Sequence, residues 1–209
     1  MLEVNGFYNM DCMEGMKQFP DKFFDWAIVD PPYGGNDAIG IKNGSGHAAS
    51  RKDYHVFKNE KPEEEYFKEL ARVSKNQIVW GGNFFGLSGG YICWNKHGTA
   101  FGEAELAYCS KIKSVVVFDY IWNGMLQENM KDKEVRIHPT QKPVTLYEWL
   151  LSRFATAGDK ILDTHVGSAS SLVACYNMGF EYVGFEIDPV YYKAASDRLE
   201  SVKTQMKLF

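Results

Sequence analysis

Apolar residues along this chain follow two periods, and each period marks a kind of element. Trp26-Ala27-Ile28-Val29 is an unbroken apolar run that ends on Asp30, which predicts a short buried strand over 26–30. Tyr66, Phe67, Leu70 and Val73 recur at helical spacing and predict an amphipathic helix over 63–74. Runs at 77–80, 91–94 and 115–120 predict further strands, and the stretch from Phe7 to Cys12 reads as a strand and turn before a short helix over 13–19. The last third is the most regular. Pro143 opens a helix from Val144 to Ala155, Lys160 to Asp163 forms a strand, and a helix runs from Ser171 to Met178 with Gly179 as its cap. Tyr182 to Glu186 is then a strand, and Pro189 opens a final helix ending near Val202. Strand, small-residue turn, helix, strand and helix make a βαβα unit with a right-handed crossover. The class is therefore α/β, a predominantly parallel sheet with helices on both faces. Between these elements, 34–59 (five glycines among polar and basic residues) and 123–139 read as long loops.

Composition narrows this picture a little. At 209 residues the chain is expected to be a single domain, 1–209, with a core that needs no staples. No apolar run approaches a membrane span, and Met1-Leu2-Glu3-Val4-Asn5 lacks the basic and apolar segments of a secretory leader. A cytoplasmic location with no membrane contact is the expectation, with Cys12, Cys93, Cys109 and Cys175 as free thiols. The five histidines show no metal-ligand spacing, so no metal is expected. A net charge of −4 argues against broad, indiscriminate nucleic-acid binding. Two basic groups, Lys42/Arg51/Lys52/Lys58/Lys61 and Lys111/Lys113/Lys131/Lys133/Arg136, read first as solvated faces, and second as local phosphate contacts.

Two turns carry candidate chemistry. In Asp30-Pro31-Pro32-Tyr33 the prolines end the strand, since neither donates a ladder hydrogen bond. A carboxylate, the Pro31 carbonyl and an aromatic ring then sit at the carboxyl end of a strand, where open α/β sheets bind ligands. That set suits an amino-bearing planar base: two acceptors for the amine and a ring for stacking. The plainer alternative is a Pro-Pro turn with Tyr33 as partial core. The second turn, Gly167-Ser168-Ala169, follows the strand ending at Asp163 and lets a ligand approach the backbone. Glu186 lies 186 − 167 = 19 residues later, near the spacing at which an acid binds ribose hydroxyls. One glycine where the dinucleotide fingerprint has three favours a nucleoside without phosphates over nicotinamide dinucleotide, and a plain βαβ connection stays open.

Taken together these residues resemble the S-adenosylmethionine-dependent amino-methyltransferases, specifically the DNA adenine-N6 methyltransferases of the circularly permuted, beta class. The resemblance covers nearly the whole chain and implies a Rossmann-like methyltransferase fold with permuted motif order. Asn9-Met10-Asp11-Cys12 is similar to the family's Gly-Asp-Cys turn, which places Asp11 near the cofactor adenine. His138-Pro139-Thr140-Gln141-Lys142-Pro143 matches the family segment that helps enclose the methionine end, implicating His138, Thr140 and Lys142. Leu162 to Ala169 resembles Leu-Asp-Pro-Phe-x-Gly-Ser-Gly, departing at Thr164, His165 and Ala169. Asp163, His165, Gly167, Ser168, Ala169 and Glu186 thereby become cofactor-binding candidates, and Asp30, Pro31, Pro32 and Tyr33 catalytic ones. The segments Trp94-Asn95-Lys96 and Phe101 to Glu105 resemble middle strands of the family, with Glu105 structural rather than catalytic.

What the resemblance implies is methyl transfer to the N6 of adenine flipped out of double-stranded DNA, with S-adenosylmethionine as donor, no metal, and Tyr33 as stacking platform. Loops 34–59 and about 110–136 would contact the target, and a homodimer or partner protein could supplement them. The resemblance implies a restriction–modification setting, in which a restriction partner would be sought in a neighbouring gene. Cytosine-N4 methylation is the nearest rival; that branch more often begins the tetrapeptide with Ser. Relatives that methylate protein glutamine usually begin it with Asn. Methylation of RNA stays open, as does a catalytically silent nucleic-acid-binding subunit of the same fold.

Overall fold

The computed structural model describes residues 2–34, 54–55, 59–97, 102–123 and 126–206. One eight-stranded sheet draws its strands from all parts of the chain. They are β1 (Gly6–Asn9), β2 (Phe24–Val29), β3 (Ser74–Trp80), β4 (Gly90–Asn95), β5 (Ala104–Cys109), β6 (Val115–Asp119), β9 (Lys160–Asp163) and β10 (Glu181–Glu186). Their order is β1-β10-β9-β2-β3-β5-β4-β6. Every neighbouring pair is parallel except the two that β5 makes, with β3 and with β4. A short antiparallel pair, β7 (Trp122–Asn123) with β8 (Leu126–Gln127), stands at the start of the stretch 123–139 expected to be wholly loop.

Helices cover both faces because the central strands are apolar on both. Trp26 and Ile28 of β2 pack with α3 (Val144–Phe154), α4 (Ser170–Met178) and α5 (Pro189–Met206) on one face. Ala27 and Val29 pack with Met16 of α1 (Cys12–Met16) and with Tyr66, Leu70 and Val73 of α2 (Glu64–Val73) on the other. From β9 the chain crosses through α4 to β10; from β2 it crosses through α2 to β3, in the opposite direction and over the opposite face. The switch point therefore lies between β2 and β9, where a crevice opens at the carboxyl ends of the strands.

The structure departs from the sequence reading at several bounds: α1 is Cys12–Met16 where the sequence predicts a helix over 13–19, and β2 is Phe24–Val29 where it predicts 26–30. α2 passes into β3 without a loop, since Ser74 both ends the helix and donates its hydroxyl to Leu70 O at 2.5 Å. β5 lacks a strand pattern in the sequence, because its buried positions are only Ala107 and Cys109. α5 continues past Val202 to Met206.

Candidate functional site

Along the carboxyl edge of the sheet, the chain places Asp11 after β1, Glu186 at the end of β10, the 163–169 turn after β9, Asp30 to Tyr33 after β2 and Gly81 after β3. The motifs picked out by sequence thus converge on one edge. They form two clusters of different chemistry.

The first cluster surrounds Asp30. Tyr33 donates its phenol to Asp30 Oδ1 at 2.7 Å, and Lys142 Nζ donates to Asp30 Oδ2 at 2.5 Å. Lys142 also meets Glu105 Oε2 at 3.2 Å, while Glu105 Oε1 receives Lys96 Nζ at 2.7 Å. Both lysines are buried, and Lys142 lies over the Trp80 ring, 5.1 Å from its centroid. Burial pushes the Glu105 carboxyl up, but Lys142 and Lys96 outweigh it and hold it at about 2. Burial likewise works against the Lys142 ammonium, yet Asp30 and Glu105 raise it above the ordinary lysine range. Burial and the Asp30 charge raise the Tyr33 phenol, so it stays a donor. The resemblance implied that Lys142 belongs to the cofactor; in the structure its ammonium is engaged by Asp30 and Glu105.

The Tyr33 ring is stacked on Phe84, centroids 5.1 Å apart at 25°, and Phe84 is 55% exposed. Gly81 makes the approach possible: its φ is +67°, and a Cβ there would stand 2.3 Å from the Tyr33 ring. Phe84, Lys96 and the lysine-binding role of Glu105 were not found by sequence reasoning. The Gly81-Gly82 step before two phenylalanines was the available signal for Phe84.

The second cluster is built from backbone. Gly167 has φ +54° and donates its N–H to Glu186 Oε2 at 2.8 Å; the other carboxylate oxygen accepts from Asp188 N at 2.9 Å. Burial raises the Glu186 carboxyl above its ordinary value, against those backbone donors. Asp163 turns inward: it accepts from His165 N at 3.0 Å and from the Ser171 hydroxyl, and burial pushes it up to about 7. It therefore organises the turn. Ser168 Oγ pairs with Ser170 Oγ at 3.0 Å, and Ala169 is buried at φ +62°. His165 Nδ1 lies 2.9 Å from Thr164 Oγ1, with its ring edge-on to Tyr66. His138 lies 3.0 Å from Thr140 Oγ1, and its ring meets Tyr191 at 4.2 Å. Burial holds both imidazoles at about 4, so both are neutral at pH 7.

A cavity of about 280 Å³ adjoins this cluster, lined by Cys12, Met13, Pro32, Tyr66 and His165 together with Glu60, Pro62, Glu63 and Glu65. Asp11 stands beside it as the cap of α1, accepting from Met13 N at 2.8 Å and Glu14 N at 3.2 Å. A small-residue turn, a carboxylate with lone pairs to spare and a largely apolar cavity next to both fit a nucleoside-bearing cofactor.

The basic segments part company. Of the 34–59 loop, residues 35–53 and 56–58 lie outside the described residues, including Lys42, Arg51, Lys52 and Lys58. Lys111 and Lys113 follow antiparallel β5, which puts them at the sheet edge opposite Asp30. β6 then returns the chain, so that the segment beginning at Tyr120 starts on the site edge. Among the described residues no helix is long and apolar enough to cross a membrane.

Comparison with known proteins points one way. A family model described as DNA methylase matches residues 52–197. The type II methyltransferase M.HinfI of Haemophilus influenzae is 27% identical over 258 residues, covering 96% of this chain and 70% of that protein. YubD of Escherichia coli (strain K12) is 25% identical over 231 residues, covering 98% of this chain and 94% of its own length. The structure of M1.HpyAVI in complex with SAM matches with a TM-score of 0.60 at 22% identity, over 92% of this chain and 98% of that one. The cytosine-N4-specific PvuII DNA methyltransferase matches with 0.61 at 13% identity, over 95% and 90%. At these identities the structural likeness speaks for the Rossmann-like methyltransferase fold.

Proposed function

The chain belongs to the DNA methylase family, and on that footing we propose that it methylates the exocyclic N6 of adenine in double-stranded DNA, using S-adenosylmethionine. The observation that carries this reading is Asp30, a carboxylate fixed on both oxygens at the switch point, one strand away from the Gly167 turn.

The amine of adenine is a weak nucleophile because its lone pair is delocalised into the ring. Asp30 and the Pro31 carbonyl each accept a hydrogen bond from one N6 hydrogen, which localises that lone pair as the nitrogen becomes tetrahedral, and the nitrogen sheds one of those protons to solvent once it carries the methyl group. Pro32 stiffens the turn that presents both acceptors. The base has to leave the stacked duplex to reach them, and the Tyr33–Phe84 pair offers it an aromatic surface. When bound, S-adenosylmethionine supplies an electrophilic methyl on a sulfonium centre. Glu186 accepts from ribose hydroxyls, Gly167 and Ser168 bring backbone close to the ligand, and His138, Thr140, His165, Ala169 and Asp11 shape its surroundings. The preference for adenine over cytosine rests on Asp at position 30, by analogy with the family; fold alone does not separate the two bases.

On this reading residues 1–209 act as one cytoplasmic catalytic unit, with loop 34–59 and, of the stretch expected at about 110–136, the part from Tyr120 onward as its duplex contacts, alone or as a homodimer, in a restriction–modification setting such as the type II relative suggests. The test is to incubate the chain with methyl-tritiated S-adenosylmethionine and unmethylated duplex DNA or RNA, digest, and separate the nucleosides. Label in N6-methyldeoxyadenosine is expected. Label in N4-methyldeoxycytidine or in RNA alone would replace the substrate, and no label anywhere would favour the silent subunit.

A further inference from the structure

Acceptance of the target amine by Asp30 leaves unexplained why two buried lysines are strung behind it on a half-buried glutamate. Lys96, Glu105, Lys142 and Asp30 form a line of alternating charge with links of 2.7, 3.2 and 2.5 Å. Lys142 is only 5% exposed and Lys96 6%. Such a chain is an odd choice for stability alone, since well-packed apolar side chains of similar volume usually do as well or better. Its value lies in geometry. A carboxylate has about four lone-pair sites. The Tyr33 phenol takes one on Oδ1 and the Lys142 ammonium one on Oδ2, from different directions, so the carboxylate cannot swivel and its open lone pairs keep a fixed aim.

We propose that Lys142 is a positioning residue for methyl transfer: seated by Glu105, it locks the Asp30 carboxylate in the orientation that receives the target amine. This rests on the methyltransferase reading and deepens it. It also differs from what the family resemblance implied, which was a place for Lys142 in the cofactor pocket. Positioning of this kind is felt in the chemical step, because the acceptor has to be aimed before the nitrogen becomes tetrahedral. Glu105 does not touch substrate on this account; it acts through Lys142, and Lys96 through Glu105.

The experiment compares wild type with Lys142→Met in steady-state kinetics on duplex DNA, with calorimetric affinity for S-adenosylmethionine and melting temperature measured alongside. Expected is a fall in kcat on the order of 10²-fold, with KM for DNA and cofactor affinity within about threefold, the change that would correspond to less than one tenfold step. Should Lys142→Met not fold, Lys142→Met/Glu105→Gln removes one cation and one anion together and is measured in its place. A reading independent of turnover is the ammonium signal of Lys142 in protein labelled with nitrogen-15 at lysine. It is expected to be protected from exchange and to move in Asp30→Asn. Weakened cofactor binding with kcat intact at saturation would return Lys142 to the cofactor and overturn the proposal, as would unchanged kcat or an ammonium indifferent to Asp30→Asn. A wild-type chain that labels no nucleic acid overturns the methyltransferase reading, and this role with it, even where the ammonium still reports the pair.

Discussion

After β2 the chain meets two prolines, after β9 a run of small residues, and the two turns lie side by side at the switch point. The first turn works through side chains. Asp30 is fixed by a phenol and an ammonium, and charge reaches it through Lys142, Glu105 and Lys96. The second works through backbone. Its carboxylate, Asp163, is turned inward, its histidine is neutral at pH 7, and Gly167 offers main chain instead of a side chain. On the proposed function the first turn activates a nucleophile, which needs a fixed charge, and the second holds a ligand, which needs close approach and little side chain. The six residues 138–143 serve both: His138 stands near Gly167, and Lys142, four positions on, reaches Asp30.

That contrast is open to attack in several places. The largest effect is expected at Asp30. Asp30→Ala should lower the rate of methyl transfer by on the order of 10³-fold or more; initial rates within tenfold of wild type would mean the first turn is not where the chemistry occurs. Next is Glu105→Gln, which leaves two buried lysines with one carboxylate. A loss of roughly 3 kcal/mol in urea denaturation is expected, and a loss below about 1 kcal/mol would show that the charge chain does not hold the first turn.

The second turn should answer to pH instead. Asp163, raised from 3.8 to about 7 by burial, gives stability that is full below pH 4 and lost as pH rises through 7. His138 and His165, lowered from 6.5 to about 4, act with the opposite sign: their contribution is full above pH 6.5 and lost as pH falls towards 4. Asp163→Asn removes only the first effect. Relative to wild type it should gain roughly 2 to 3 kcal/mol between pH 5 and pH 8, checked by denaturation at the two values; a pH-independent difference would contradict the buried neutral acid. The smallest change is expected for Ala169→Gly. Relief of the left-handed strain, about 1 kcal/mol, is nearly offset by the lost buried methyl, about 0.8 kcal/mol. A melting-temperature shift of more than a few degrees would contradict that balance.

Much of the fold was legible because it repeats. The βαβα unit of the last third appeared within a few residues of its predicted bounds, since strand runs and helical spacing there are separated by Gly158, Gly179 and Pro189. β5 was not, because an antiparallel strand with two small buried residues leaves little apolar signal. For the site, short range was readable and long range was not. The tetrapeptide at 30–33 and the Gly167–Glu186 spacing are local patterns, and the structure joins them as their order implied. The contact between Lys142 and Asp30 spans 112 positions, and no spacing rule reaches that far. Phe84 stayed unseen because a phenylalanine in a run of two reads as core, yet it stands exposed over Tyr33.

The division of labour between the two turns comes down to one pair of calorimetric titrations with S-adenosylmethionine. Asp30→Ala should bind within about threefold of wild type, and Glu186→Ala should bind at least about tenfold more weakly, the loss expected for hydrogen bonds to a charged acceptor. Equal affinity in both variants, or a larger loss at Asp30 than at Glu186, would contradict it.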